Sequence, residues 1–127
     1  NRALFYEPLE ALMGYFYERV LATFFDYVFV NKNIDLTNNV IQKYADDIEL
    51  AICFVYQGGS IYDTPFWDHA KKLSQDRLNN DLKWQLQINE IKMNKKENYR
   101  QMRNCGVGVL PVKSWVDFDD NLKYNMF

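Results

Sequence analysis

The sequence predicts a mainly α protein, an irregular bundle of four to five helices within a single helical segment, 1–127. Apolar side chains recur at three- and four-residue steps over most of the chain, which is the spacing of one helix face. These runs end at Asn, Gly or Pro clusters, which are typical of helix boundaries. Of the 127 residues, 48% are hydrophobic and 17% are aromatic, so the chain is long and apolar enough to form a core.

The first predicted helix begins at Glu7 or Pro8, because proline suits the first helical position, where no backbone N–H is needed. Further aromatic residues widen its apolar stripe, so we expect this helix to be buried on most sides and to need a neighbour. The run NKNIDLTNN, 31–39, ends it. The stripe consists of Leu9, Leu12, Met13, Phe16, Val20, Phe24 and Val28, with Phe25, Tyr27 and Phe29 beside it.

Asp35 or Thr37 is the predicted N-cap of the second helix, because both side chains can accept a hydrogen bond from a first-turn amide. Gly58 and Gly59 end this helix, since glycine readily adopts the left-handed conformation that closes helices. Its apolar stripe consists of Val40, Ile41, Tyr44, Ala45, Ile48, Ile52 and Val55.

After the loop QGGSIYD, the segment DTPFWDHAKKL predicts a third helix with Asp63 or Thr64 as its cap and Pro65 at its first position. We expect it to end near Ser74. Residues 78–104 are polar and have helical propensity, and their narrow stripe consists of Leu78, Leu82, Leu86 and Ile91, with Trp84 and Ile88 beside it.

The last part of the chain predicts a break and then a short ordered tail. CGVGVLPV, 105–112, is a glycine-rich break with a short β-like run. It lacks the Gly-Lys-Ser/Thr ending of a phosphate-binding loop. The aromatic tail, 113–127, predicts either a short helix or an irregular strap.

Composition excludes several classes of partner. Charged residues make up 25% of the chain and the net charge is −2, so no basic surplus favours nucleic acid or an anionic membrane. The apolar stretch 9–30 is interrupted by charged residues and therefore does not predict a membrane span. Cys53, Cys105 and the lone His69 lack the spacing of a metal site, so we expect no metal and two reduced thiols in a cytoplasmic protein.

Two carboxylates, Glu7 and Glu10, lie among Leu, Phe, Tyr and Met at the start of the first helix. Carboxylates in a first turn favour the positive end of the helix dipole, which explains them without chemistry. In the alternative interpretation, an apolar environment raises the pKa of one carboxyl and fits it for proton transfer or for holding a cation.

The segment YQGGSIYDTPFW, 56–67, places four aromatic residues around a loop between two helices: Tyr56, Tyr62, Phe66 and Trp67. Such residues can fill a core. They can also sandwich a flat aromatic ligand, to which the glycines would allow close backbone approach.

FYEPLEAL and, about fifty residues later, DTPFW together resemble the C-terminal part of the flavin-dependent tryptophan halogenase family. The family shows a Glu-Pro-Leu-Glu segment that opens a helix, followed by an aromatic loop that ends in Phe-Trp. The resemblance covers roughly residues 3–75. It implies that the chain is the substrate-side helical part of a larger flavoenzyme, an oxidoreductase that halogenates an electron-rich, indole- or phenol-like compound with reduced FAD, O₂ and chloride or bromide.

The resemblance also implies roles for individual residues. Glu10 would be catalytic, orienting the halogenating species or taking the proton from the arenium intermediate. The backbone at Leu12 and Met13 would fall on the halide-binding segment. The substrate-binding positions would be Tyr56, Tyr62, Phe66, Trp67 and Lys71.

The chain departs from the family pattern at several of these positions. Ala11, Leu12 and Met13 replace Ser-Thr-Gly after the catalytic glutamate, and Val55 replaces the first of two tyrosines. Tyr62 and Lys71 replace residues typical of the tryptophan-specific members, which argues against free tryptophan as the substrate.

The chain also lacks a Gly-x-Gly-x-x-Gly fingerprint, the Trp-x-Trp-x-Ile-Pro segment and the family's catalytic lysine. We therefore expect an upstream FAD-binding domain, a separate flavin reductase and no activity of this chain alone. The alternative is a diverged, non-catalytic helical module that binds an aromatic ligand or a protein partner. A third interpretation is a helical packing domain without a ligand.

Overall fold

The computed structural model describes residues 10–58, 61–97 and 106–127. These residues form five α-helices, which confirms the mainly α class. None of the described helices combines the length and the apolar character that crossing a membrane requires. The elements are α1 (Glu10–Phe24), a π-helical segment (Phe25–Val30), α2 (Ile34–Tyr56), α3 (Pro65–Asn79), α4 (Leu82–Lys96), β1 (Gly106–Val107), β2 (Leu110–Pro111) and α5 (Val112–Leu122).

The chain divides into two compact units, Asn1–Ile52 and Cys53–Phe127, and the division falls within α2. In the first unit, α1 continues directly into the π-helical segment. The rings of Phe24, Phe25 and Phe29 pack on one another there, with Phe25 and Phe29 stacked 5.5 Å apart. Leu21 and Val30 remain 57% and 73% exposed. Phe24, Phe25 and Phe29 are themselves 43–62% exposed, so within this chain the prediction of a helix buried on most sides is wrong for the described part.

Helix α2 begins at Ile34, before both of its predicted caps. Asn33 is the cap, because its Oδ1 accepts a hydrogen bond of 2.9 Å from the backbone N–H of Leu36, in the first turn. Thr37 lies inside the helix and donates its hydroxyl to the carbonyl of Asn33 at 2.8 Å. The predicted caps at Asp35 and Thr37 are wrong, since Asn33 precedes both. Its side chain accepts the hydrogen bond from a first-turn amide that either of them was expected to accept.

The predicted apolar stripe of α2 is confirmed where it is deepest. Ile48 and Ile52 are fully buried, and Val40, Ile41 and Tyr44 are half-buried.

In the second unit, α3 begins at Pro65 with Thr64 in extended backbone before it, as predicted. The helix continues five residues beyond the predicted end at Ser74, because Ser74 and Leu78 are both buried on its inner face. Asp81 then caps α4 by accepting a hydrogen bond of 3.0 Å from the Trp84 amide. Burial, the largest influence on Asp81, acts to raise its pKa, but the Trp84 N–H and the Arg77 guanidinium together outweigh it and lower the pKa.

The buried face of α4 differs from the predicted stripe. Leu82 and Leu86 are 84% and 69% exposed, so their assignment to the apolar face is wrong. The predicted stripe followed leucines that are spaced four residues apart. The residues that are buried instead are related by steps of three and four, starting from Trp84, the largest side chain in the segment. These residues are Trp84, Gln87, Ile88 and Ile91.

The predicted β-like run is confirmed as a hairpin in which Val107 pairs with Leu110. Gly108, in its two-residue turn, has a φ of 62°, a left-handed value that favours glycine. The tail contains helix α5, as one of the two predictions had it. Trp115 of α5 donates its indole N–H to the carbonyl of Val107 at 2.8 Å, which joins the helix to the hairpin.

Phe54, near the end of α2, is the centre of an aromatic cluster. Its ring centroid lies 5.2–5.8 Å from four other aromatic rings, and Phe54, Trp84 and Trp115 are almost completely buried. Each such ring pair contributes about 0.5–1.5 kcal/mol beyond the burial of area. The four rings belong to Trp84, Trp115, Tyr124 and Phe127.

The last four residues, 124–127, form a strap that a buried carboxylate holds in place. Asp119 is 2% exposed, and its oxygens accept hydrogen bonds of 3.0–3.1 Å from the amides of Met126 and Phe127. Lys95 donates to the carbonyl of Phe127 at 3.2 Å. The strap thus brings Tyr124 and Phe127 into the aromatic cluster.

We expect Asp119→Asn to destabilise the second unit by about 1–3 kcal/mol, because the amide places donors against the donors of the strap. The unfolding of this unit can be followed by tryptophan fluorescence in urea, since Trp67, Trp84 and Trp115 all lie in it.

Asp120→Asn is the matched control. The Asp120 side chain is 67% exposed and lies 4.0 Å from Lys95, so its removal should change stability by less than about 0.5 kcal/mol. Equal unfolding midpoints for the two variants would contradict the role of Asp119.

Candidate aromatic-binding site

The end of α2 and the beginning of α3 place two aromatic rings in direct contact. The rings of Tyr56 and Trp67 are stacked with centroids 5.7 Å apart and an interplanar angle of 16°. Phe66 meets Trp67 edge-on at 5.1 Å. These distances are those of rings in contact, so the pair leaves no slot for a third ring between them. The predicted sandwich is therefore wrong for this pair.

A cavity of about 250 Å³ lies beside this stack. Trp67 and Tyr62 give it two aromatic side chains, and Ile61 and Gly58 add to its lining. Its charged lining residues are Asp63, Asp68 and Lys71. The cavity thus combines aromatic surface with both signs of charge.

The predicted substrate-binding residues divide into two groups. Tyr62, Trp67 and Lys71 line the cavity. Tyr56 and Phe66 are not among its lining residues, and they contact Trp67 instead. Burial raises the pKa of the Tyr56 phenol, whose ring packs on Trp67. Tyr56 and Phe66 therefore support the indole that faces the cavity.

Four of the described lining residues are not among the predicted substrate-binding residues: Gly58, Ile61, Asp63 and Asp68. The sequence predicts Asp63 only as a helix cap, but Thr64 takes the cap position. A signal for Asp68 exists in the sequence, because it lies next to Trp67 and three residues before Lys71, on one side of α3.

Gly58 joins this region to the strap. Its amide donates to the Tyr124 hydroxyl at 3.1 Å, and that hydroxyl donates to the carbonyl of Val55 at 2.8 Å. Burial is the main cause that raises the pKa of Tyr124, the Gly58 N–H acts against it, and the charge of Asp119 adds to it. The Tyr124 hydroxyl thus bonds both the Val55 carbonyl and the Gly58 amide at the C-terminal end of α2.

Glu10 is the first described residue of α1, and Leu12 and Met13 lie within the same helix. Their side chains fall outside the described part of the chain, as do Glu7 and Pro8 altogether. The catalytic role of Glu10 and the halide-binding role of the Leu12 and Met13 backbone stay predictions. Among the residues that the structure describes, no group of three or more His, Cys, Asp or Glu side chains is placed to hold a metal ion.

Comparison with known proteins gives no family for this chain. No protein-family model matches it, and neither a curated protein nor a solved structure does. The resemblance to the flavin-dependent tryptophan halogenases therefore stays a prediction from the residue pattern.

We expect Gly58→Ala to destabilise the second unit by about 1–3 kcal/mol, because the added methyl group must displace the Tyr124 ring. An ideal Cβ at this position would lie 2.5 Å from the hydroxyl oxygen of Tyr124 and 2.8 Å from a ring carbon. Tryptophan fluorescence in urea measures the effect.

Gly14→Ala is the matched control, because a Cβ at Gly14 in α1 meets no atom within 4 Å. Alanine is the better helix former, so this variant should gain about 0.5–1 kcal/mol in helix stability, followed by circular dichroism. A Gly58→Ala protein as stable as wild type would contradict the close approach of Tyr124.

Proposed function

We propose that this chain binds a planar aromatic small molecule in the cavity beside Trp67. The observation that carries the proposal is the supported indole: Tyr56 stacks on Trp67, Phe66 meets its edge, and the same indole lines the cavity. A ring held in this way loses little conformational freedom when a ligand packs on it, which favours binding.

The size of the cavity favours a small ligand. Its volume of about 250 Å³ lies just below the range of roughly 300–1,000 Å³ for sites that hold drug-sized compounds. A compound of one ring or two fused rings therefore fits better than a larger cofactor.

The polar lining favours a ring that carries a hydrogen-bond donor. Asp63 and Asp68 line the cavity, and a carboxylate is an acceptor that suits an indole N–H or a phenolic O–H. This supports the indole- or phenol-like class of compound that the sequence predicts.

Two proposals follow for what happens to the bound compound. In the first, it is the substrate of a flavin-dependent halogenase of which this chain is one part. The motif pair EPLEA and DTPFW supports this proposal, and Trp67 of the second motif lines the cavity. The residues of this chain do not supply a dinucleotide fingerprint, so FAD, O₂ and halide chemistry would depend on an upstream domain and a flavin reductase.

In the second proposal, the chain is a non-catalytic module that only binds the compound.

The binding proposal predicts that indole binds the purified chain and that Trp67→Leu weakens binding about tenfold, because stacking on an aromatic ring contributes roughly 1–3 kcal/mol. Isothermal titration calorimetry gives the dissociation constants.

Phe118→Leu is the control, since Phe118 is a half-exposed aromatic residue of α5 that does not line the cavity. It should leave the affinity unchanged. The absence of heat with wild-type protein, or equal losses in the two variants, would contradict a site at Trp67.

The halogenase proposal predicts that Glu10→Gln in a protein that includes the FAD-binding domain lowers bromination of indole by at least about a hundredfold, as expected for loss of a general base. The assay is product formation with a flavin reductase supplied. Glu18→Gln is the control, because Glu18 is an exposed residue of the same helix. Unaltered turnover of the Glu10 variant would contradict its catalytic role, and the binding proposal would be unaffected.

A further inference from the structure

A second cavity of about 440 Å³ lies next to the first and shares Gly58 and Lys71 with it. The far side of this second cavity is formed by the end of α5 and the strap, through Leu122, Tyr124 and Met126. The amide side chains of Gln57 and Gln75 complete the lining. Lys71 and Gly58 therefore lie at the border of the two cavities.

Lys71 holds the central position in a row along α3. Trp67, Lys71 and Gln75 follow one another at four-residue spacing, so they lie on the same face of the helix. Trp67 and Gln75, the neighbours of Lys71 in this row, both contact the end of α2. Trp67 stacks on Tyr56, and Gln75 donates to the carbonyl of Gln57 at 3.4 Å. The row therefore places the aromatic ring of Trp67, the ammonium group of Lys71 and the amide of Gln75 about 6 Å apart along the helix axis.

The charges of the two cavities differ. The first contains two carboxylates, Asp63 and Asp68, beside Lys71. In the second, Lys71 is the one charged residue among the described residues that line it. The amides of Gln57 and Gln75 are already engaged, because Gln57 donates to the sulfur of Met126 and Gln75 to the Gln57 carbonyl. Among the described lining residues, an anion thus meets one cation and no carboxylate, whereas the charge of the buried Asp119 acts on Tyr124 from outside this lining.

From this arrangement we infer that the ligand is an aromatic compound with an anionic group on a short tether, an arylalkanoate. The ring occupies the first cavity against Trp67, and the carboxylate lies in the second cavity at the ammonium group of Lys71. With a tether of two or three bonds, the carboxylate oxygens lie roughly 6 Å from the centre of the ring, which is about the rise of four residues along a helix. This inference rests on the proposed function, since it names the class of compound that the aromatic site takes.

An amine at the end of the same tether should bind less well. It would meet the ammonium of Lys71 in the second cavity, and like charges at close range oppose binding. The preference for acid over amine is therefore the property that separates this inference from simple binding of an aromatic ring.

The test compares three ligands by calorimetry with the full 127-residue chain: indole, indole-3-propionate and tryptamine. We expect indole-3-propionate to bind about tenfold more tightly than indole, as for one charge-assisted contact. Tryptamine should bind no more tightly than indole. The advantage of the acid should shrink as NaCl is raised, because salt screens an exposed ion pair.

Lys71→Gln should bring the ratio of the affinity for the acid to the affinity for indole, both measured on the same variant, down to about one, whereas Lys71→Arg should keep most of the advantage of the acid. Lys72→Gln is the matched control, since Lys72 is the next residue in α3, is exposed and lines neither cavity. Circular dichroism shows that each variant is folded. If Lys71→Gln is unfolded, the salt dependence and the Lys71→Arg protein decide the question.

The outcomes distinguish a failure of the aromatic site from a failure of the inferred ligand class. If none of the three compounds binds, both the aromatic site and its ligand class are wrong. If indole binds but the acid gains nothing, or tryptamine binds best, the inference is overturned and the aromatic site stands. A gain that survives Lys71→Gln would place the anion elsewhere and overturn the inference as well.

Discussion

The packing of the Phe54 ring against four other aromatic rings is the interaction on which the second unit depends. This residue lies near the end of α2, and its ring meets rings from α4, α5 and the strap. Because the ring is fully buried, the last turn of α2 has a fixed position relative to those elements. Asp119 contributes to the same constraint by holding the strap amides, so that Tyr124 and Phe127 can reach Phe54.

The candidate site follows from this constraint. Tyr56 comes two residues after Phe54, and its ring supports Trp67. Gly58 comes two residues later and donates to Tyr124, which is itself in contact with Phe54. The cavity is therefore lined partly by α3, through Trp67, Asp68 and Lys71, and partly by residues between α2 and α3. The stack of Tyr56 on Trp67 favours binding, because it already orders the indole that faces a ligand.

Local signals in the sequence predicted some of this architecture and missed the rest. Pro65 predicted the start of α3 correctly, because proline at a first helical position acts through its own backbone. The exposure of Leu86 could not be predicted from leucine spacing, since Trp84 decides which side of α4 is buried. The need for glycine at position 58 arises from Tyr124, which is 66 residues away. Contacts of this kind depend on tertiary structure, so the sequence indicated Tyr62, Trp67 and Lys71, which line the cavity, but not that Tyr56 and Phe66 pack on Trp67.

The most direct test of the account is to locate bound indole by NMR, using intermolecular NOEs in ¹⁵N- and ¹³C-labelled protein. Bound indole should give NOEs to the side chains of Trp67 and Tyr62, and none to Trp84 or Trp115 in the buried cluster. The exposed phenylalanine rings of the first unit offer a competing apolar surface. NOEs confined to Phe25 and Phe29 would contradict the account, because the ligand would then be bound away from the cavity beside Trp67.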